Sequence, residues 1–180
     1  KPVIFYGSSI THGAAASTPG YTYENLIAQK YNMNYVNLGF AGNAKAEDAM
    51  YDYIAKRDMC MFVLDYDHNA PNAEYLEKTH YAFYERFRSA NPDVPVVMIS
   101  NPDFIKNYDQ AVIRRNIIKA SYNKAVANVD EDVYFIDGET LMNEKDGTRC
   151  TIEGCHPNDV GFMRMSEVIG KKINEILKLK

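Results

Sequence analysis

A chain of 180 residues, 46% of them hydrophobic, is long enough to fill one core and short for two. Its formal net charge of −4 argues against a nucleic-acid partner, because binding a phosphate backbone draws on clustered cations. No run of about 18 apolar residues occurs, so no membrane-spanning helix is expected.

Lys1 leads at once into the first expected strand, Pro2–Tyr6. Such an immediate start suits a mature fragment or a domain excised from a longer chain. An amphipathic segment, Tyr23–Tyr31, precedes a second strand at Tyr35–Leu38. Helix-length Lys45–Lys56 then leads to a third strand, Cys60–Leu64, and Ala73–Ala90 to a fourth, Val94–Ile99, with Asn91-Pro92 as the breaker between them. Gln110–Asn128 reads as helix and Val133–Ile136 as the fifth strand. The last segment, Asn158–Leu179, repeats apolar residues at helical intervals through Val160, Met163, Val168, Ile169, Ile173, Ile176 and Leu177. Short apolar strands alternating with longer amphipathic segments predict a single α/β domain over 1–180. The expected form is a flavodoxin-like three-layer α/β/α sandwich on a five-stranded parallel sheet.

In such folds, sites form beyond the carboxyl ends of the strands. Four polar groups fall there or just before the last helix: Gly7 to Gly13, Gly39 to Asn43, Asp65 to Asn69, and Glu153 to Asn158. Together they hold what acyl transfer needs. A serine hydroxyl is a weak nucleophile until a base takes its proton, and histidine is the usual base near neutrality. The base needs an acceptor to fix its tautomer, and the developing oxyanion needs preorganised donors such as backbone N–H groups or an Asn amide.

Gly7-Ser8-Ser9-Ile10-Thr11, Asn37-Leu38-Gly39-Phe40-Ala41-Gly42, Asp67-His68-Asn69 and Glu153-Gly154-Cys155-His156-Pro157 resemble, in order, the four blocks of the SGNH (GDSL-like) hydrolase family. The resemblance covers essentially the whole chain. It implies a serine esterase with Ser9 as nucleophile, His156 as base and Glu153 as orienting acid. The oxyanion hole would comprise the N–H groups of Ser9 and Gly39 and the amide of Asn69. The pattern is similar to the bacterial subgroup related to carbohydrate acetyl esterases, which implies a short-chain, chiefly acetyl, ester on a carbohydrate or small molecule. In that subgroup an N-terminal β-domain often precedes the hydrolase domain. Three positions depart from the family pattern: Ser8 and Glu153 stand where Asp is usual, and Asp67 where Gly is usual. A lipid or thioester acylhydrolase would use the same residues, and a carbohydrate-binding domain with a degraded site is the reading from another class.

Other features carry plainer readings. Gly7–Gly13 lacks the Gly-Lys-Ser/Thr ending of a phosphate loop. Asp65, Asp67 and His68 read as a hydrogen-bonded loop, His80 as structural or exposed, and Arg114-Arg115 as a solvated helix face. Cys60 reads as a buried hydrophobe, while Cys150 and Cys155 either pair or stay free. No cofactor or metal is expected. The sequence leaves the oligomeric state open; a secreted or periplasmic location is the working expectation.

Overall fold

The computed structural model describes residues 1–102, 104–142 and 146–179. Five parallel strands form one sheet: β1 (Val3–Gly7), β2 (Tyr35–Gly39), β3 (Met61–Asp65), β4 (Val96–Ile99) and β5 (Val133–Ile136), in the spatial order β2-β1-β3-β4-β5. The helices are α1 (Ser9–His12), α2 (Tyr23–Tyr31), α3 (Asp48–Ile54), α4 (Ala73–Ala90), α5 (Tyr108–Ala127) and α6 (Asp159–Leu177). The α/β/α sandwich expected from the sequence is the architecture found. No helix among the described residues is long and apolar enough to cross a membrane.

Strand alternation builds the two sides of the sheet. On β1, Ile4 and Tyr6 face a core shared with Leu76, Phe83 and Phe87 of α4 and Ile118 of α5. Val3 and Phe5 face the opposite core, filled by Tyr23 and Ile27 of α2 and Phe162, Met165, Ile169 and Ile173 of α6. Phe5, Phe62, Phe87 and Phe162 are fully buried, each worth about 1.5–3 kcal/mol relative to exposure. Because both faces are covered, β1 and β3 are buried at every position, which is why they read as unbroken apolar runs.

Helix boundaries differ from the sequence expectation where backbone N–H groups find other partners. The segment expected to be helical from Lys45 begins at Asp48, because the Ala46 N–H donates to Tyr6 Oη and the Lys45 N–H to Glu47 Oε2. Strand β4 starts at Val96, after Pro95, which has no N–H to give. Helix α1 was hidden in a glycine-rich stretch. It starts where Ser8 Oγ accepts the Ile10 N–H at 3.1 Å and stops where Gly13 turns left-handed at φ 90°.

The register places Gly7 beside both Gly39 and Asp65, so the carboxyl ends of β2, β1 and β3 lie abreast. Gly7 must be glycine: a Cβ there would fall 2.0 Å from Thr11 Oγ1. That approach folds α1 tightly back over the end of β1.

Candidate active site

Ser9 is the first residue of α1, just past the carboxyl end of β1, with Ser8 as the N-cap of the helix. Ser8, in the place of the family's usual Asp, therefore acts as the helix cap. The loop between Cys150 and Asn158 brings His156 over Ser9. It closes on itself through the Ile152 N–H to the His156 carbonyl, 3.1 Å, and the Asn158 N–H to the Cys150 carbonyl, 3.0 Å. Gly154, at φ 84°, makes its turn.

Ser9 Oγ lies 2.9 Å from His156 Nε2. His156 Nδ1 lies 2.5 Å from Glu153 Oε1, and the His156 backbone N–H donates to the same oxygen at 2.8 Å. An ionised carboxylate can only accept, so Nδ1 carries the ring proton and Nε2 presents its lone pair to the serine hydroxyl. The His156 backbone N–H first, and its side chain next, hold the Glu153 carboxyl below its ordinary range. The longer Glu side chain thus reaches the His156 ring.

The sheet also carries Asn69, at the end of the short 3-10 turn Asp67–Asn69 that follows β3. Its Oδ1 accepts the Ala44 N–H at 3.2 Å, which turns the NH2 group the other way. Two groups missed at the sequence level hold this turn. Arg114, expected on a solvated face, reaches from α5 to donate to the carbonyls of Asp67, 2.6 Å, and Ala70, 2.8 Å. The buried Asp67 carboxylate accepts the N–H and the side-chain amide of Asn101 at 3.0 and 3.1 Å, tying the ends of β3 and β4 together. Arg115 is also engaged, pairing with Asp137 and Glu139. Only a helix-to-loop distance, absent from the sequence, could have separated these arginines from a solvated pair.

Gly39 requires a correction. Its N–H donates to Asn37 Oδ1 at 2.8 Å, so it is not available to an oxyanion. A Cβ at Gly39 would fall 2.1 Å from the His12 backbone nitrogen, which makes this a packing glycine. Further along the same turn, the Phe40 N–H is taken by the Gly7 carbonyl and the Asn43 N–H by that of Phe40. Gly42, at φ 72° with open space around it, has no partner for its N–H among the described residues. It was already present in the second sequence block.

Beneath the site, Asp65 accepts hydrogen bonds from Thr11 Oγ1 at 3.1 Å and Tyr23 Oη at 3.0 Å. Burial, with the nearby Asp67 charge second, pushes its carboxyl up to about 8. Glu24, also fully buried, is raised well above its ordinary value by burial. His80 is buried and stacks on Tyr66, and desolvation lowers it to about 3, so it is a neutral core histidine. Cys60 and Cys150 are thiols, Cys150 buried, and Cys155 sits with its sulfur 3.0 Å from His68 Nε2.

The family profile described as GDSL-like Lipase/Acylhydrolase matches residues 1–174. No protein of curated function matches the chain. Among solved structures, a protein from Bacteroides ovatus described as a GDSL-like lipase is 29% identical with a TM-score of 0.89, covering 100% of this chain and 54% of its own. A salicylyl-acyltransferase from a tetracycline biosynthetic pathway is 20% identical with a TM-score of 0.83, covering 100% of this chain and 56% of its own. An active-site mutant of a family two carbohydrate esterase from Clostridium thermocellum is 17% identical with a TM-score of 0.78, covering 100% and 66%. The chain thus spans little more than half the length of the first two.

Proposed function

Since the chain belongs to the GDSL-like lipase/acylhydrolase family, a family of carboxylic ester hydrolases, we propose that it hydrolyses short acyl esters, chiefly acetyl, carried on carbohydrate, through an acyl-enzyme on Ser9. The observation that carries this reading is the continuous relay Ser9 Oγ, His156 Nε2, His156 Nδ1, Glu153 Oε1. A degraded binding domain would have no reason to keep it.

In the first half-reaction His156 Nε2 takes the hydroxyl proton as Ser9 Oγ attacks the ester carbonyl, and Glu153 stabilises the imidazolium that results. The oxyanion draws on the Ser9 N–H, the Asn69 NH2 and, in place of Gly39, the Gly42 N–H, each donor lowering the barrier by about 2.7–4 kcal/mol. Protonated His156 then gives its proton to the leaving alkoxide. In the second half-reaction it activates the water that releases the acid.

A short acyl group accords with the neighbouring cleft of about 310 Å³, lined by His68, Asn101, Lys106, Gln110, Arg114 and Cys155. Those side chains offer polar contacts, whereas a long acyl chain needs an apolar groove. The carbohydrate alcohol rests on the resemblance of the four sequence blocks to the subgroup related to carbohydrate acetyl esterases; the likeness to the carbohydrate esterase structure, at 17% identity, is one of fold.

The test compares p-nitrophenyl acetate, butyrate and octanoate, then acetylated polysaccharides, for the protein and Ser9→Ala. Serine-dependent hydrolysis that falls with chain length, with acetate released from polysaccharide, is expected. Faster turnover of the octanoate would replace this reading with a lipid acylhydrolase.

A further inference from the structure

Cys155 lies between the orienting acid and the base, yet the reaction above gives it no task. The donor atoms of Glu153, Cys155 and His156 all lie within 4.8 Å of one another. One thiol, one imidazole and one carboxylate form a donor set suited to zinc. Tetrahedral zinc, with bonds of about 2.0–2.3 Å, holds such donors about 3.3–3.6 Å apart, so the set closes with shifts of about 1 Å. Glu153 is exposed and Cys155 and His156 are only half-buried, so these side chains have room to move and a cation can reach them. His68 Nε2 lies 3.0 Å from the sulfur.

We propose that Glu153, Cys155 and His156 bind a thiophilic divalent cation of the zinc type, and that filling this site switches the esterase off. The second half rests on the function proposed above. On binding, the Cys155 S–H bond breaks and a sulfur–metal bond forms, while the proton passes to solvent. The metal withdraws the Glu153 carboxylate from the ring and bonds to His156 Nδ1; the proton that Nδ1 carried moves through solvent to Nε2, which then has no lone pair for the Ser9 hydroxyl. The relay to Ser9 then cannot cycle a proton.

The test is a Co2+ titration of the chelator-treated protein and of Cys155→Ser, followed by displacement with Zn2+ and by p-nitrophenyl acetate assays with and without Zn2+. The expected result is a thiolate-to-cobalt absorption band that saturates at about one metal per chain and is lost on adding Zn2+. Cys155→Ser should lack the band and bind Zn2+ weaker by about tenfold or more, the scale on which even outer partners of a metal site count. Zn2+ should abolish wild-type hydrolysis reversibly and leave Cys155→Ser at its own metal-free rate, whatever that rate is. Absence of the thiolate band, or equal Zn2+ affinity in the two proteins, overturns the site. A band without inhibition overturns the switch alone. If no ester is hydrolysed even without metal, the function proposed above falls, while the cobalt titration still decides the site.

Discussion

The Ala44 N–H donates to the Asn69 side-chain oxygen at 3.2 Å, and this one bond decides which end of the amide faces away. A backbone N–H can only donate, so the NH2 group is left to meet an incoming oxyanion. Asn69→Ala should lower kcat for p-nitrophenyl acetate by about 10²–10³ with little change in KM, as loss of one oxyanion donor does elsewhere. Asn69→Asp should be worse, since it puts a negative charge beside a developing one. An Asn69→Asp variant faster than the alanine variant would remove Asn69 from the oxyanion hole.

Glu153 fixes the His156 tautomer from three residues away. Glu153→Gln, whose amide can turn its NH2 to Nδ1, should cost about 10²–10⁴ in kcat, and Ser9→Ala more than about 10⁴. Fluorophosphonate labelling of Ser9 should slow in parallel in the Gln variant. Labelling at the wild-type rate would show that the acid is dispensable.

Among the described residues, Arg114 donates to the carbonyls of Asp67 and Ala70, on either side of Asn69, which makes it a positioning residue. Arg114→Ala should lower kcat more than it raises KM. The double variant with Asn69→Ala should be no slower than Asn69→Ala alone, because both remove the same contribution. Additive losses in that cycle would mean that Arg114 acts elsewhere, for example on the fold.

Asp65 is buried with its carboxyl pushed up to about 8, against about 3.9 for an exposed aspartate. A group raised on folding gives stability that is fully present below the unfolded value and is lost as pH climbs through the folded one. Between about pH 4 and 8, therefore, the unfolded chain ionises at Asp65 while the folded chain keeps its proton, and stability declines. Asp65→Asn keeps an oxygen for Thr11 and Tyr23 and has no proton to lose. Its Tm relative to wild type should rise steadily from pH 5 to pH 8; a constant difference would show that Asp65 is already ionised in the fold.

The sheet and its longer helices were legible in the sequence because each depends on local pattern. Strand runs buried on both faces are unbroken, and Glu153 and His156 share one loop. The contacts across elements were hidden. Gly39 and Gly42 sit in the same glycine-rich turn, and only the Asn37 side chain folded onto Gly39 tells them apart. Arg114 looks like any helix cation until α5 packs beside the turn after β3. Asp67, odd in a glycine's place, makes sense once Asn101 arrives from the end of β4.

Glu153 and His156 ride together on the loop between Cys150 and Asn158, whereas Ser9 opens the short helix after β1, and the bond between Ser9 and His156 joins these two pieces. On the function proposed above, competence is a docking equilibrium laid over the folding one. Whatever lifts the loop, whether mild denaturant, heat or a bulky residue beneath it, leaves an intact sandwich with an idle serine. Turnover should therefore fade before helicity does as urea is raised, and the gap between the two curves measures how firmly the loop is seated.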